Sequence, residues 1–382
     1  MIQNSDFVSV FNKNIEHKFI APARINLIGE HIDYNGGMVL PCAISLYLRA
    51  YVSLRDDLVI SLKSTSFNNV ITKSYNDLYY DSNNKWANYP IGVIKTLFDK
   101  GYKINKGLNI YFDSDIPLGS GLSSSAAILD LTVFICNELF ELNIDRKNMA
   151  LIAQEVENNY CGLSSGIMDE AIISLGMKNK ALLLDCKNFN YKYIDIKDGD
   201  YTYVVMKTNK PRKLTESKYN ERVYECNKAL KIIQTTYNVK TLCEIKTEDL
   251  ANIEALLQDK ILFKRVKHVV KENERVYEYT KALIKGEYIK LGTLLNASNE
   301  SLRDDYEVTG KHLDLITNAA RKAGAIGARM TGAGFGGCAI ALIKREMFDE
   351  FSQKVSKEYF EQTKIKPEFY LVDIVDGTSR VE

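Results

Sequence analysis

Residues 117–127 have the composition of a phosphate-binding loop. Their sequence, PLGSGLSSSAA, places two glycines immediately before three serines. The glycines let the backbone turn with its N–H groups inward, and the helix predicted to follow adds unpaired N–H donors and a partial positive charge. The segment is not a Walker loop, because GxxxxGK[ST] is absent. It is therefore a candidate anion site, and the alternative is a Gly/Ser turn that only caps a core helix.

A second candidate site lies in residues 24–40, whose sequence is RINLIGEHIDYNGGMVL. Glu30, His31 and Asp33 fall within four residues between apolar flanks. Two carboxylates and an imidazole supply several hydrogen-bond acceptors and donors at close quarters, which suits a polyhydroxyl ligand. Two alternatives stay open here: a polar turn between strands, and a metal site, which the scarcity of histidines disfavours.

Two further segments contain residue types typical of a functional site. In residues 155–176 a helix carrying Glu157 gives way to a Gly/Ser loop, after which Asp169 opens another apolar helix. Asp169 is either a site residue or an ordinary N-cap or first-turn carboxylate. Residues 330–338, MTGAGFGGC, have four glycines in six positions before a predicted strand. This cluster indicates close approach of the backbone to a ligand or another segment, and its position before a strand excludes a dinucleotide-binding fingerprint.

Hydrophobic periodicity predicts the elements that position these segments. Apolar and β-branched runs predict strands at 46–54, 108–112, 182–184, 201–206 and 338–343. A long apolar run predicts a helix over 123–140, Asp145 is placed to cap the next helix, and residues 221–290 are mainly helical in pattern. The order and number of these elements predict an α+β fold with two domains, residues 1–200 and 201–382.

The composition excludes several classes of protein. Lysine and arginine total 50 against 49 aspartates and glutamates, so the chain lacks the basic excess of a nucleic-acid or anionic-membrane binder. No apolar run approaches the ~20 residues of a membrane span, and the first residues lack the pattern of a signal peptide. Seven cysteines without a CxxC pair argue against a disulfide framework and a zinc site. We therefore expect a cytoplasmic protein with reduced thiols.

Taken together, these segments resemble the galactokinases, a family of GHMP small-molecule kinases. Residues 21–41 are similar to the galactokinase signature, residues 117–127 to the family's phosphate-binding motif, and residues 330–338 to its third motif. GIMD at 166–169 and SLRDDYEV at 301–308 extend the resemblance almost end to end. It implies two α+β domains with the active site in the cleft between them. The implied reaction is ATP-dependent phosphorylation of the C1 hydroxyl of α-D-galactose.

The resemblance also implies roles for individual residues. Asp169 would be the catalytic base or an orienting carboxylate, and Arg24 its cationic partner, both beside the sugar. The other implied sugar contacts are Glu30, His31, Asp33 and Tyr219. The implied ATP contacts are Gly119, Ser120, Gly121, Leu122, Ser123, Ser124 and Ser125, with Ser64 and Trp86 near the nucleotide. The implied cofactor is Mg²⁺ on Ser125 and Glu157, and the implied partners are ATP and galactose, with no nucleic acid or membrane, in a monomer.

Two positions depart from the family pattern. Ala23 stands where these proteins usually have glycine, which would matter if the backbone there required a positive φ. Glu170 stands where glutamine usually follows GIMD, and it adds a negative charge beside Asp169. Neither change removes a catalytic group, so we expect both to tune the site.

Two other functions stay open. One is a kinase for a related sugar, such as N-acetylgalactosamine, because a single substituent contributes only ~1–3 kcal/mol of discrimination. The other is a non-catalytic galactose and ATP sensor. Such sensors can lack residues of the phosphate motif, whereas Ser124, Ser125 and Ala126 are all present here.

Overall fold

The structure is a computed structural model that describes residues 2–197, 199–210 and 215–381. Its strands are β1 (His17–Asn26), β2 (Met38–Val39), β3 (Pro41–Arg55), β4 (Val59–Ser64), β5 (Phe67–Ser74), β6 (Gly107–Ser114), β7 (Lys180–Asp185), β8 (Asn190–Asp195), β9 (Tyr201–Lys207), β10 (Gly327–Thr331), β11 (Cys338–Lys344), β12 (Glu368–Leu371) and β13 (Ser379–Val381). Its α-helices are α1 (Asn4–Phe11), α2 (Asn88–Asp99), α3 (Ser124–Phe140), α4 (Arg146–Glu155), α5 (Met168–Leu175), α6 (Thr215–Ile233), α7 (Leu250–Leu257), α8 (Lys260–Lys285), α9 (Tyr288–Asp304), α10 (Gly310–Lys322) and α11 (Phe348–Thr363).

Three sheets organise these elements. The first has the strand order β13-β1-β3-β6-β4-β5, in which only the β4–β6 pair is parallel. The second, β10-β11-β9-β12, is antiparallel and is built from the second half of the chain, and the third has the order β2-β7-β8. The predicted α+β fold is confirmed. The domain boundary near residue 200 stays a prediction, and β13 returns the end of the chain to the first sheet.

The predicted elements correspond to elements of the structure. β3, β6, β7, β9 and β11 contain the five predicted strands, and α3 begins one residue after its predicted start. Asp145 caps α4, since its carboxylate accepts a hydrogen bond of 2.9 Å from the Asn148 backbone N–H. The predicted helical region 221–290 contains most of α6 and all of α7 and α8.

Helix α3 is the centre of the N-terminal core. Every residue from 126 to 136 is buried, because α3 contacts α2, α4, α5 and β1. A helix that is apolar on all sides is stable only when protein surrounds it. The packing therefore holds the N-terminus of α3, and the glycine-rich loop before it, in a fixed place.

All seven cysteines carry free thiols. Among the described residues, no three or more His, Cys, Asp or Glu side chains are grouped to hold a metal ion. Within the same residues, no helix is both long and apolar enough to cross a membrane.

Candidate active site

A cavity of about 770 Å³ lies where the two halves of the chain meet. Its volume is within the range of small-molecule sites. The cavity brings together all six residues predicted to contact the sugar, along with Gly119 and Glu157 from the predicted ATP and metal sites. The lining residues are Arg24, Glu30, His31, Asp33, Gly119, Glu157, Leu163, Ser164, Ser165, Gly166, Met168, Asp169, Ser217, Tyr219, Asn220, Gly332 and Ala333.

Arg24 and Asp169 form a bidentate ion pair in the cavity wall. Arg24 Nε donates to Asp169 Oδ1 and Nη2 donates to Oδ2, each at 2.7 Å. The third nitrogen, Nη1, donates to the Gly121 carbonyl oxygen at 2.7 Å. One guanidinium thus fixes the plane of the Asp169 carboxylate and ties it to the glycine-rich loop.

Asp169 is held from a second side by Ser123, whose Oγ donates to Asp169 Oδ2. Asp169 lies in the first turn of α5, where no side chain makes a capping hydrogen bond. The N-cap alternative is therefore wrong and the first-turn position is confirmed, and in that position the carboxylate bonds Arg24 and Ser123. Position alone could not distinguish the two, since both roles need an acid at a helix start.

The loop before α3 has the backbone of an anion site. Gly119, Gly121 and Ser123 have φ of 65°, 76° and 66°, so the chain turns through the left-handed region three times in five residues. Ser123 is the N-cap of α3 but makes no side-chain capping bond. The first-turn N–H groups of α3 can therefore bind an anion.

The other serines of this loop have different environments. Ser120 is buried, and its Oγ accepts a 3.3 Å hydrogen bond from the N–H of Leu122, which is itself in the core. Ser124 is exposed and Ser125 half-buried in the first turn of α3. Ser120 and Leu122 thus fix the loop, whereas Ser124 and Ser125 are accessible to a ligand.

Glu157 reaches the cavity wall through a local widening of its helix. The chain leaves α4 at Glu155 and continues as a π-helical turn, Val156–Tyr160. Such turns occur frequently at functional sites because the extra residue redirects side chains. The Glu157 side chain is buried, and within the described residues no lysine or arginine forms an ion pair with it. The sequence pattern predicted an unbroken helix and could not reveal this turn.

The two departures from the family pattern are explained by their environments. Ala23 lies in the extended backbone of β1, beside a register shift in its pairing with β3, so no glycine is required. Glu170 is fully buried in α5, and burial, with Glu157 and Asp169 nearby, raises its pKa well above the ordinary range. The uncharged carboxyl is therefore favoured. The raised pKa opposes the negative charge that the sequence predicts at this position.

Glu30 is held by the second half of the chain. Its Oε1 accepts hydrogen bonds from Thr331 Oγ1 at 3.0 Å and the Gly332 N–H at 2.9 Å, and Arg329 Nη1 lies 3.1 Å away. Thr331 ends β10 and Gly332 opens the third glycine cluster. All these contacts use Oε1, so Oε2 is the oxygen left for a ligand.

His31 is neutral and is oriented by two tyrosines. Its Nδ1 pairs with Tyr34 OH at 2.9 Å, and Tyr34 OH pairs with Tyr306 OH at 2.8 Å. Burial, with His268 and Arg222 nearby, lowers the pKa of His31 to about 3. The Tyr219 ring lies 5.8 Å from the His31 ring and closes this side of the cavity. Sequence reasoning missed Tyr34 and Tyr306, although both belong to the motifs that carried the resemblance.

Asp33 lies against the loop that precedes α5. A Cβ at Gly166 would stand only 2.0 Å from Asp33 Oδ2, so only glycine permits this contact. Burial, with Asp169 and Glu30 nearby, raises the pKa of Asp33 to about 7. The loop residues Ser164, Ser165 and Gly166 are cavity residues that the sequence did not single out.

We expect Gly166→Ala to displace the Asp33 side chain and to raise the sugar KM about tenfold or more, because a contact of 2.0 Å cannot be accommodated. The ATP KM should stay within about twofold. The control is Gly162→Ala, which strains the backbone at a φ of 76° but whose added Cβ meets nothing within 4 Å, so it reports general destabilisation without a clash at Asp33. Both glycines precede α5, but only Gly166 contacts Asp33. Equal sugar KM values in the two variants would contradict this reading.

We expect Asp33→Asn to be stabilised relative to the wild type as pH rises. The folded-state pKa of Asp33 is about 7, above the 3.8 of a free aspartate, so its contribution to stability is full below pH 4 and is lost as pH rises through 7. Asparagine does not titrate. Thermal unfolding from pH 4 to 8 should show the Tm difference growing up to pH 7 and then levelling; a constant difference would contradict the raised pKa.

Ser64 and Trp86 lie outside the main cavity. Ser64 ends β4 next to Phe112 in the sheet, and the Trp86 ring packs edge-on against Phe112 at 5.9 Å. Trp86 also stacks on Phe67 at 5.8 Å. Ser64 and Trp86 therefore both lie next to Phe112. Their contact with the nucleotide stays a prediction.

Three family profiles match the chain. The galactokinase galactose-binding signature matches residues 5–54, the N-terminal domain of GHMP kinases matches residues 88–177, and the C-terminal domain of GHMP kinases matches residues 279–362. The first covers Arg24, Glu30, His31 and Asp33. The second covers the loop before α3 and Asp169.

Curated relatives match over the whole chain. A galactokinase of Clostridium perfringens (strain 13 / Type A) is 45% identical over 380 residues, which cover 99% of this chain and 98% of the relative. A galactokinase of Fusobacterium nucleatum is 41% identical over 389 residues and all of both chains.

Solved structures give the same result. The galactokinase of Lactococcus lactis complexed with galactose superposes with a TM-score of 0.96 at 42% identity, covering 99% of this chain and 98% of the other. A mevalonate kinase, at 21% identity and a TM-score of 0.67, shares the fold over 94% of this chain and 99% of its own. On this similarity, which extends from end to end, the chain belongs to the galactokinase family of GHMP kinases.

Proposed function

We propose that this enzyme transfers the γ-phosphoryl group of ATP to the C1 hydroxyl of α-D-galactose, giving ADP and galactose 1-phosphate. The observation that carries the proposal is the Arg24–Asp169 pair, which joins a cavity lined with sugar-binding residue types to the loop before α3. A sugar hydroxyl in the cavity and a phosphate on the loop would meet at Asp169. The galactose-bound relative and the matched galactose-binding signature support the choice of sugar.

Four side chains are suited to hold the sugar in the cavity. Glu30 Oε2 and the Asp33 carboxyl accept hydrogen bonds from hydroxyl groups, and the neutral His31 ring and Tyr219 complete the wall. Galactose differs from other hexoses in the orientation of its hydroxyls. Directional acceptors that are fixed in place can therefore recognise it, whereas an apolar pocket cannot.

The ATP phosphates would bind at the N-terminus of α3. Gly119 to Ser125 supply backbone N–H groups and hydroxyls there, and the helix dipole favours negative charge. Phosphoryl transfer depends mainly on positioning and on neutralising charge, which is what this loop offers.

The donor set of the cavity fits Mg²⁺. Its lining carries four acidic side chains, those of Glu30, Asp33, Glu157 and Asp169, against one arginine, so the anionic phosphates need a cation. Glu157 and Ser125 offer oxygen ligands, and Mg²⁺ typically uses one or two protein groups together with phosphates and water. When bound, the ion would neutralise charge on the phosphates of ATP.

Asp169 would orient the C1 hydroxyl and accept its proton as the bond to phosphorus forms. Ser123 and Arg24 hold its two oxygens, so the carboxylate needs no reorientation during the reaction. Arg24 would stabilise charge on Asp169 and on the transferring group. Because a sugar hydroxyl is a very weak acid, its proton can leave during attack and need not leave before it.

We propose that the enzyme works as a monomer in the cytoplasm. Arg24, Asp169 and Tyr219, from both halves of the sequence, all line the cavity, so the proposed site does not require a second copy of the chain. Free thiols at all seven cysteines support a reducing compartment, and ATP is the co-substrate there.

The test is ADP release with Mg-ATP and, in turn, galactose, N-acetylgalactosamine, glucose, galacturonate and arabinose, with a sugar-free control. Strong turnover on galactose alone is the expected result. Preferred turnover on another of these sugars would refute galactose as the substrate while keeping a sugar kinase. Galactose binding in the presence of ATP, without turnover of any of these sugars, would indicate a sensor and refute the proposed enzyme activity.

A further inference from the structure

Two side chains of helix α8 hydrogen-bond to the backbone of Gly29 and Glu30. Glu272 Oε1 accepts hydrogen bonds from the backbone N–H of Gly29 at 3.0 Å and of Glu30 at 3.3 Å. His268 Nε2 donates to the Glu30 carbonyl oxygen at 3.1 Å. His268 and Glu272 are four residues apart and so lie on one face of α8. Helix α8 belongs to the second half of the chain, about 240 residues from the loop it grips.

The Glu272 carboxylate is fixed and charged. It is fully buried, and it also accepts from Ser298 Oγ at 2.7 Å and from Arg275 Nε at 2.6 Å. Burial opposes its charge, but Arg275, His268 and Arg329 hold its pKa at about 2. Hydrogen bonds from backbone N–H groups to a buried carboxylate are stronger than those between neutral groups.

The His268 ring is neutral, and its two partners fix its tautomer. Burial lowers its pKa to about 4. Nε2 faces a carbonyl oxygen, which can only accept, so Nε2 carries the hydrogen. Nδ1 then accepts from Ser301 Oγ at 2.9 Å. His268 therefore donates to Glu30 in a fixed direction.

The loop bound by these two residues has an unfavourable backbone conformation. Gly29 has a φ of 99° and His31 a φ of 63°, and a side chain is rarely found at the second value. A Cβ at Gly29 would lie 2.9 Å from the Met38 carbonyl oxygen. Such a conformation persists only when its surroundings impose it. The hydrogen bonds from α8 supply that constraint at three successive peptide groups, through the N–H of Gly29, the N–H of Glu30 and the C=O of Glu30.

We propose that His268 and Glu272 are positioning residues of the sugar site, which hold the Glu30 peptide so that the Glu30 carboxylate and the His31 ring face the cavity. Neither residue lines the cavity, so both act through the loop. The proposal rests on the proposed function, since galactose is the ligand whose binding it explains. Loss of either contact should weaken sugar binding and leave phosphate positioning, which belongs to α3, largely unchanged.

The test compares His268→Leu and Glu272→Leu with His268→Gln and Glu272→Gln. The glutamines keep an N–H donor near the Nε2 position and an acceptor oxygen near Oε1, respectively. We expect the leucine variants to raise the galactose KM at least about tenfold, with the ATP KM within about twofold and kcat reduced less than the KM is raised. The glutamine variants should recover part of the galactose affinity.

Leu283→Ala is the matched control for general destabilisation. Leu283 is buried on the same helix, so the truncation should lower Tm by an amount comparable to the other changes without touching the loop. Its galactose KM should match that of the wild type. Hydrogen exchange at residues 28–32 provides a readout without turnover: it should accelerate in Glu272→Leu and His268→Leu, and not in Leu283→Ala.

Three results would overturn the positioning role. One is a galactose KM within twofold of the wild type in both leucine variants, and another is an equal rise in the galactose and ATP KM. The third is exchange at residues 28–32 that matches the wild type. A wild-type enzyme that is inactive on galactose would instead refute the proposed function, and the exchange comparison would still decide the role of His268 and Glu272.

Discussion

Asp169→Asn is expected to lower kcat by about 10²- to 10⁴-fold, with a smaller rise in the galactose KM. Asparagine has nearly the same size but no charge, and it cannot accept the two hydrogen bonds from Arg24 together with the one from Ser123. The variant therefore loses the group that orients the C1 hydroxyl and takes its proton. Steady-state kinetics with Mg-ATP and galactose give both constants.

The variant must be shown to fold, which thermal unfolding and galactose binding can establish. Ser123→Ala distinguishes the contribution of the Asp169 carboxylate to kcat from that of its hydroxyl partner. The variant keeps the Arg24–Asp169 pair and removes one hydrogen bond. We expect its loss of kcat to be much smaller than that of Asp169→Asn. Unchanged turnover in Asp169→Asn would refute the catalytic role of Asp169.

Arg24→Ala is expected to lower kcat by about 10²-fold or more, a larger effect than any rise in the sugar KM. The side chain is 5% exposed and pairs with a carboxylate that is 28% exposed, so its removal leaves Asp169 partly buried without its cation. It also frees the Gly121 carbonyl oxygen from its donor. Stability should fall by about 3–5 kcal/mol, as expected when one partner of a buried pair is removed.

Arg55→Ala is the matched control for this change. Arg55 makes a bidentate pair with Asp57, also at 2.7 Å and 2.7 Å, but Asp57 is half-exposed and the pair lies outside the cavity. Arg55 also donates to the buried Asn109 Oδ1 at 2.9 Å, so its loss should cost some stability, but less than the loss of Arg24, and it should leave kcat unchanged. Arg24→Lys should be intermediate, since an ammonium keeps the charge without the planar donors. An Arg24→Ala effect confined to KM would contradict transition-state stabilisation.

The parts of the site that the sequence predicted are those built from short, contiguous motifs. In such motifs the types of neighbouring residues already indicate the chemistry. This holds for the loop before α3, the Glu30–Asp33 segment and the helix start at Asp169. The π-helical turn at Val156–Tyr160 was not predictable, because its apolar residues keep the same stripe as an ordinary helix. Packing of neighbouring elements decides such a widening.

The contacts between residues far apart in the chain could not be predicted from the sequence either. His268 and Glu272 are buried polar residues in an amphipathic helix, and nothing local distinguishes them from solvated positions. Glu170 is similar: its residue type predicts a charge, but complete burial beside Glu157 and Asp169 favours the neutral form. A side chain's surroundings, which only the fold supplies, decide its ionisation and its partners.

The measurement that tests the central claim most directly is phosphorus–proton correlation NMR of the product formed from Mg-ATP and galactose. The proposed reaction predicts one new phosphate monoester, coupled to the anomeric proton of the α-sugar. A phosphate coupled to the C6 protons, or γ-phosphate released only as inorganic phosphate, would contradict C1 phosphorylation and the role assigned to Asp169.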